Sequence, residues 1–162
     1  MRDNFQDQMF DFLTHKGIEN FVGVPDSTLK EFISHGIKYK KIIIATREEE
    51  AIGIAAGMLL ANSPTIVFMQ NAGFANSLST ITSLIQLYKF PIIFLIGWRG
   101  FQKNDAPEHK KIGQIQPKLL KDIGLQTRII NKDNWKKFSL WAINKMRDGN
   151  SCALVIPREF ID

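Results

Sequence analysis

The sequence has one cysteine, Cys152, and no long apolar run. A single cysteine cannot form a disulfide within its own chain, so we expect a reducing compartment. No apolar stretch reaches the roughly 18 residues that a membrane-spanning helix needs. The first residues, MRDNFQDQMF, carry acids and amides where a secretion signal would be basic and then apolar. These absences predict a cytoplasmic protein that makes no contact with a membrane.

Several motifs that bind phosphates or metals are also missing. Neither GxxxxGK[ST] nor GxGxxG occurs, so the chain has no glycine-rich loop to hold a phosphate. There is no Cys/Cys or Cys/His spacing typical of zinc, and no GxSxG nucleophile motif. The sequence therefore predicts neither a phosphate cradle nor a metal site within this chain.

The charge is positive, but the basic residues are dispersed. Lys and Arg number 21 against 16 Asp and Glu, which gives a formal charge of +5. The densest basic groups are far apart in sequence, and aromatic residues do not alternate with them as in a nucleic-acid-binding ribbon. We therefore interpret most of this charge as solvated surface and expect no nucleic-acid partner.

Helical and strand patterns alternate along the whole chain. The 162 residues, 44% of them apolar, suffice for one domain with a hydrophobic core. Apolar runs predict strands at residues 18–24, 42–45, 65–69, 91–96, 125–130 and 152–156. Helical spacing predicts helices at residues 5–13, from 27 to a stop at Gly36, and at 46–60, 78–88, 117–123 and 135–146. Residues 70–73 and 97–112 are predicted loops. Because the strands are apolar on both faces, we predict a doubly wound α/β domain over residues 1–162, with a mostly parallel six-stranded sheet and helices on both faces.

Polar groups follow four of these strands. In a parallel sheet the carboxyl ends of the strands share one edge, where ligands bind. Each group also has a structural explanation, such as a helix cap, a turn or a surface charge. Their convergence nevertheless predicts a small-molecule site. The groups are Asp26 and Ser27, Glu48 to Glu50, Gln70 and Asn71, and Arg99 with the loop that carries His109.

Five spaced segments resemble the N-terminal domain of phosphonopyruvate decarboxylase. They are GVPDSTLKEF, EAIGIAAGMLLA, FMQNAGFANSLSTITSL, FPIIFLIGWRG and DAPEHKKIG, within about Gly23 to Gly124. The chain is also similar to the alpha chain of sulfopyruvate decarboxylase, in its length and in the run TREEE. Both are thiamine-diphosphate-dependent decarboxylases, so the resemblance implies a Pyr-type domain, which holds the aminopyrimidine ring of that cofactor.

The resemblance also implies that a second domain is needed to bind the cofactor. In this family a PP domain holds the cofactor diphosphate through Mg²⁺, using a GDG motif and a downstream Asn. This sequence contains no GDG. We therefore expect a separate PP-domain (beta) subunit to bind Mg²⁺ and share the cofactor with this chain in a hetero-oligomer.

Site residues follow from the same register. The family glutamate corresponds to Glu48, although Glu49 stands where the family has glycine and stays an alternative. Its role is to share a proton with a ring nitrogen of the cofactor. The resemblance assigns the remaining roles as follows: Gln70, Asn71 and Gly73 lie near the cofactor, His109 and Asp26 are acid/base candidates, and Ser27, Arg99 and Asp105 hold the substrate anion.

The expected function is one subunit of a decarboxylase for a small anionic 2-oxo acid. The segments PDS and GWRG favour 3-phosphonopyruvate, which would give phosphonoacetaldehyde and carbon dioxide. TREEE and the short chain favour sulfopyruvate, which would give sulfoacetaldehyde. A different possibility is a non-catalytic α/β subunit that regulates or scaffolds a partner through the same edge.

Overall fold

The computed structural model describes residues 4–102 and 105–158, in which parallel strands alternate with helices. The strands are β1 (Asn20–Gly23), β2 (Ile42–Ile44), β3 (Thr65–Gln70), β4 (Ile93–Trp98), β5 (Thr127–Ile129) and β6 (Cys152–Pro157). The helices are α1 (Phe5–His15), α2 (Lys30–Lys38), α3 (Glu48–Leu60), α4 (Asn71–Asn76), α5 (Leu78–Thr80), α6 (Pro107–Asp122) and α7 (Trp135–Arg147). A 3-10 turn, Ser27–Leu29, precedes α2, and a π-helical segment, Ile81–Gln86, continues α5.

The six strands form one sheet in the order β2-β1-β3-β4-β6-β5, and every neighbouring pair is parallel. The predicted doubly wound α/β fold is therefore confirmed. The strand after β1 in the chain, β2, lies on one side of it, and the strand after β3, β4, lies on the other side, so the strand order reverses between β1 and β3. Ligands of open α/β sheets bind at such a switch point.

Alternate residues of the central strands fill two hydrophobic cores. Ile66 and Phe68 of β3 face the core formed with α1, α2 and α7. Val67 and Met69 face the core formed with α3, α4, α6 and the π-helical segment. Helices on both faces explain why the central strands are apolar throughout. The apolar run at residues 42–45 suggests a buried strand, but β2 is an edge strand and Ile44 is 49% exposed.

One helix begins ten residues earlier than the sequence predicts. The predicted loop 97–112 and the helix 117–123 are replaced by a shorter loop and by α6, which contains Pro117. A proline inside a helix cannot donate the hydrogen bond that the carbonyl four residues earlier would accept. Here that carbonyl belongs to Gly113, and the indole N–H of Trp98 donates to it at 2.9 Å. Trp98 thus anchors α6 and satisfies the group that Pro117 leaves free.

Two further boundaries differ from the prediction. Gly36 does not end α2, which continues to Lys38. A side chain at Gly36 would overlap Phe10 and Ile42, so this glycine allows close packing of α2. Residues 70–73 do not form a loop either, because Gln70 ends β3 and Asn71 begins α4 directly.

Candidate active site

Three glutamates open α3 at the carboxyl edge of the sheet, and their side chains have different surroundings. Glu49 lies 3.6 Å from the Arg47 guanidinium. Glu50 accepts hydrogen bonds from the Thr46 amide at 2.8 Å and the Thr46 hydroxyl at 2.5 Å, which lower the pKa of Glu50. Glu48 is half-buried and makes no hydrogen bond or ion pair to the described residues. Glu48 is therefore the carboxylate of this group that remains available to a ligand.

Gly73 forms the surface against which Glu48 lies. A Cβ atom added to Gly73 would be 2.2 Å from Oε1 of Glu48 and 2.4 Å from its Cδ. Only glycine leaves room for the carboxylate here, so the start of α4 and the start of α3 approach each other closely. The predicted site residues Glu48 and Gly73 are thus neighbours, on elements that follow different strands.

Asp26 and Gln70 form a second pair at the same edge. Asp26 is 5% exposed. Its Oδ1 accepts a hydrogen bond from Nε2 of Gln70 at 2.9 Å, and its Oδ2 accepts one from the Thr28 amide at 3.1 Å. A Cβ atom on Gly97 would be 1.9 Å from Asp26 Oδ2, so β4 also needs glycine beside this carboxylate. Asp26 therefore caps the turn after β1 and orients Gln70.

Asn71 joins the ends of β3 and β4. It is fully buried, its Nδ2 donates to the Arg99 carbonyl at 3.0 Å, and its Oδ1 accepts from the Arg99 amide at 3.1 Å. Both ends of the amide are thus engaged with one backbone residue. The predicted contact between Asn71 and the cofactor stays a prediction, and this geometry instead favours a role in positioning Arg99.

Arg99, Asp105 and Ser27 meet as the sequence predicts, but Asp105 faces Arg99 with both oxygens. Asp105 accepts from Arg99 Nη2 at 2.6 Å and Nε at 2.9 Å, and from the backbone amides of Gly100 and Ala106. The Arg99 hydrogen bonds hold the pKa of Asp105 well below its usual range, and the two amides act in the same direction. This geometry favours a role for Asp105 in holding Arg99, and its predicted contact with the substrate anion stays a prediction. Arg99 Nη1 reaches the Ser27 hydroxyl at 3.3 Å.

His109 lies in the first turn of α6 rather than in a loop. The reason is the close contact of α6 with the β4 end, where Gly100 has a φ of +74° and a Cβ would be 1.9 Å from the His109 carbonyl. The ring is half-buried and makes no hydrogen bond to the described residues, including Asp26. The predicted acid/base pair of His109 and Asp26 therefore stays a prediction.

The structure also shows features that single residues in the sequence did not signal. Gly97 and Gly100 matter because Asp26 and α6 approach the backbone there, and such contacts are not encoded locally.

Cys152 is a core residue, and burial raises the pKa of its thiol to about 12. Across residues 4–102 and 105–158, no group of three or more His, Cys, Asp or Glu side chains could hold a metal ion. In the same ranges no helix is both long and apolar enough to cross a bilayer.

Comparisons with known proteins show the family of the chain. Residues 3–123 match the family model described as thiamine pyrophosphate enzyme, N-terminal TPP binding domain. The chain belongs to this family. Within it, the chain is 34% identical over 122 residues to the sulfopyruvate decarboxylase subunit alpha of Methanococcus maripaludis, covering 74% of this chain and 73% of that protein. The predicted family membership is thus confirmed.

Two longer proteins are similar to this chain over part of their length. The phosphonopyruvate decarboxylase of Streptomyces viridochromogenes is 32% identical over 111 residues, which cover 67% of this chain and 28% of that protein. The benzoylformate decarboxylase structure from Polynucleobacter necessarius superposes with a TM-score of 0.75 at 18% identity, covering 97% of this chain and 31% of that one. At that identity the second comparison supports the fold alone. The chain spans less than a third of either protein.

Proposed function

We propose that this chain is the Pyr-domain subunit of a heteromeric thiamine-diphosphate-dependent decarboxylase. The observation that carries the proposal is the position of Glu48. It lies at the carboxyl edge of the sheet in a thiamine pyrophosphate enzyme fold, against Gly73, with no partner among the described residues. The start of α3 also favours a negative charge at this position through the helix dipole.

The division into two chains is part of the proposal. The alpha-subunit relative has similar length, whereas the chain spans 28% of the phosphonopyruvate decarboxylase. The sequence contains no GDG motif. A partner chain would hold the diphosphate through Mg²⁺, and residues 1–162 would form the complementary Pyr domain.

The residues at the edge fit the pyrimidine end of the cofactor. Glu48 would exchange a proton with a ring nitrogen, and the absence of a side chain at Gly73 would leave that carboxylate its space. Gln70, oriented by Asp26, would offer an amide beside it. Thiamine diphosphate supplies an electron-accepting thiazolium when bound, and this makes loss of carbon dioxide from a 2-oxo acid possible. His109 would supply or accept a proton at the substrate carbon, and its first-turn position in α6 leaves its ring free to do so.

The substrate in this proposal carries a phosphonate or a sulfonate group. Relatives named for each substrate match this chain at similar identity, 34% and 32%, so the comparisons support both. We keep 3-phosphonopyruvate as the first candidate substrate. Sulfopyruvate is the second candidate, because the relative of matching length is a sulfopyruvate decarboxylase subunit. The ratio of kcat/KM for the two acids, measured on the enzyme with its partner chain, decides between them.

Glu48→Gln tests the catalytic assignment, with Glu49→Gln as the matched control. Both variants remove one charge from the first turn of α3, but Glu48 lies against Gly73 of α4 whereas Glu49 lies beside Arg47. We expect Glu48→Gln to lower kcat at least about 100-fold, as for loss of a proton-transferring group, without weakening subunit association. Glu49→Gln should keep near-normal kcat. The reverse pattern would assign the role to Glu49, and full activity of both variants would refute the proposed chemistry.

A further inference from the structure

A cleft lies beside Ser27, the residue whose hydroxyl contacts Arg99. The Arg158 amide donates to the Trp98 carbonyl at 3.1 Å, so Arg158 follows β6 next to the end of β4. The cleft has a volume of about 330 Å³ and lies between α1, the turn after β1, and the ends of β5 and β6. Among its lining residues are Ser27, Thr28, Lys30, Glu31, Asn131 and Arg158.

The charges around the cleft are unevenly paired. Arg99 is held by Asp105 at 2.6 Å, and this carboxylate offsets most of its charge toward a ligand. Lys30 and Arg158 make no side-chain hydrogen bond or ion pair to the described residues. Glu31 is the acidic side chain in the lining. The positive charge available to an anion in the cleft therefore comes from Lys30 and Arg158.

Two hydroxyl groups add hydrogen-bonding capacity. Ser27 is exposed and its hydroxyl contacts Arg99 Nη1. Thr28 is 8% exposed, and its hydroxyl has no hydrogen-bond partner. A buried hydroxyl without a partner is unfavourable, and a small rotation of Thr28 toward an incoming acceptor would relieve this.

We propose that this cleft binds the oxyanion end of a small ligand, that is, a phosphonate, sulfonate or phosphate group. The planar Arg158 guanidinium and the Lys30 ammonium would contact its oxygens, with the Ser27 and Thr28 hydroxyls as further hydrogen-bonding groups of the lining. Where the ligand is the substrate, the inference rests on the proposed function, and the cleft takes the end of the substrate opposite to its carboxylate. A separate phosphorylated effector is the other source of the same chemistry.

Binding of methylphosphonate and methanesulfonate to the full chain tests the site without any catalytic activity. We expect backbone amide NMR shifts on titration to concentrate at Ser27, Thr28 and Asn131. Lys30→Met and Arg158→Met should each weaken binding about five- to tenfold, because each removes a charge-assisted hydrogen bond that is partly exposed to water. Lys38→Met is the matched control, since it changes an exposed lysine at the opposite end of α2. Equal losses in all three variants, or shifts spread over the surface, would overturn the proposal.

The source of the oxyanion is decided with the enzyme and its partner chain. If the substrate occupies the cleft, methylphosphonate inhibits competitively, and Lys30→Met raises KM more than it lowers kcat. If a separate effector occupies it, methylphosphonate changes activity without competing with the substrate. Specific binding by a chain that shows no decarboxylation would support the cleft and refute the proposed function. Decarboxylation without any binding at the cleft would support the proposed function and refute the cleft as a binding site.

Discussion

Replacing Gly73 by alanine should separate stability from activity. The new Cβ would be 2.2 Å from Glu48 Oε1 and 2.5 Å from Glu48 Cγ, whereas favourable contacts begin near about 3.5 Å. The glutamate must therefore move by about 1 Å or more. Because a flexible side chain yields easily, the clash should cost little, and alanine in a helix gains about 0.5–1 kcal/mol over glycine. We expect the free energy of unfolding to change by less than about 1 kcal/mol.

The catalytic effect of the same change should be large. Displacing a reacting group by 1 Å can cost about 100-fold in rate, so we expect kcat to fall by about that factor. Steady-state decarboxylation by the enzyme with its partner chain measures kcat, and urea denaturation of the isolated chain measures stability. Gly57→Ala is the control, because a Cβ there meets nothing within 4 Å. It should stabilise α3 by about 0.5–1 kcal/mol with the site unchanged.

A double variant tests whether Gly73 affects activity through Glu48. If Gly73→Ala acts through the Glu48 carboxylate, adding it to Glu48→Gln should lower kcat little further, because coupled residues are not additive. If the two substitutions lowered kcat by independent factors that multiply, Gly73 would affect activity by another route. A Gly73→Ala enzyme with normal kcat would refute the idea that this close approach positions the catalytic acid.

Two other predictions concern the Arg99 loop. Asn71→Leu keeps the side-chain volume but leaves the buried backbone amide and carbonyl of Arg99 without their hydrogen-bond partners. It should therefore lower the free energy of unfolding, measured by urea denaturation, by about 2–4 kcal/mol. A loss below about 0.5 kcal/mol would contradict the role assigned to the Asn71 amide. The pKa of Asp105 is depressed in the folded chain, so its contribution to stability is present above about pH 4 and is lost as the pH falls further. The difference in unfolding free energy between wild type and Asp105→Asn should therefore shrink from pH 5 to pH 2.5, and a constant difference would contradict the ionised pair.

Local patterns in the sequence account for most of the elements. The apolar runs around Phe68, Phe94 and Leu154 predict buried strands because their neighbours on both faces are also apolar, and the structure places all three in the sheet core. The prediction fails where a distant residue alters a local rule. Pro117 normally marks a helix start, yet Trp98 satisfies the carbonyl it leaves free, and α6 extends to Pro107. No local pattern in the sequence predicts the contact between Trp98 and Gly113.

The sequence by itself determined the α/β architecture, the family and the edge of the sheet that bears polar groups, because periodicity and motif spacing are local properties. Only the tertiary structure shows that Glu48 lies against Gly73 on another element while Glu49 lies beside Arg47. It also showed that Asp105 faces Arg99 and that Lys30 and Arg158 stay unpaired within the described residues. Charges and close contacts of this kind depend on residues brought together from separate strands, and no spacing along the chain records them.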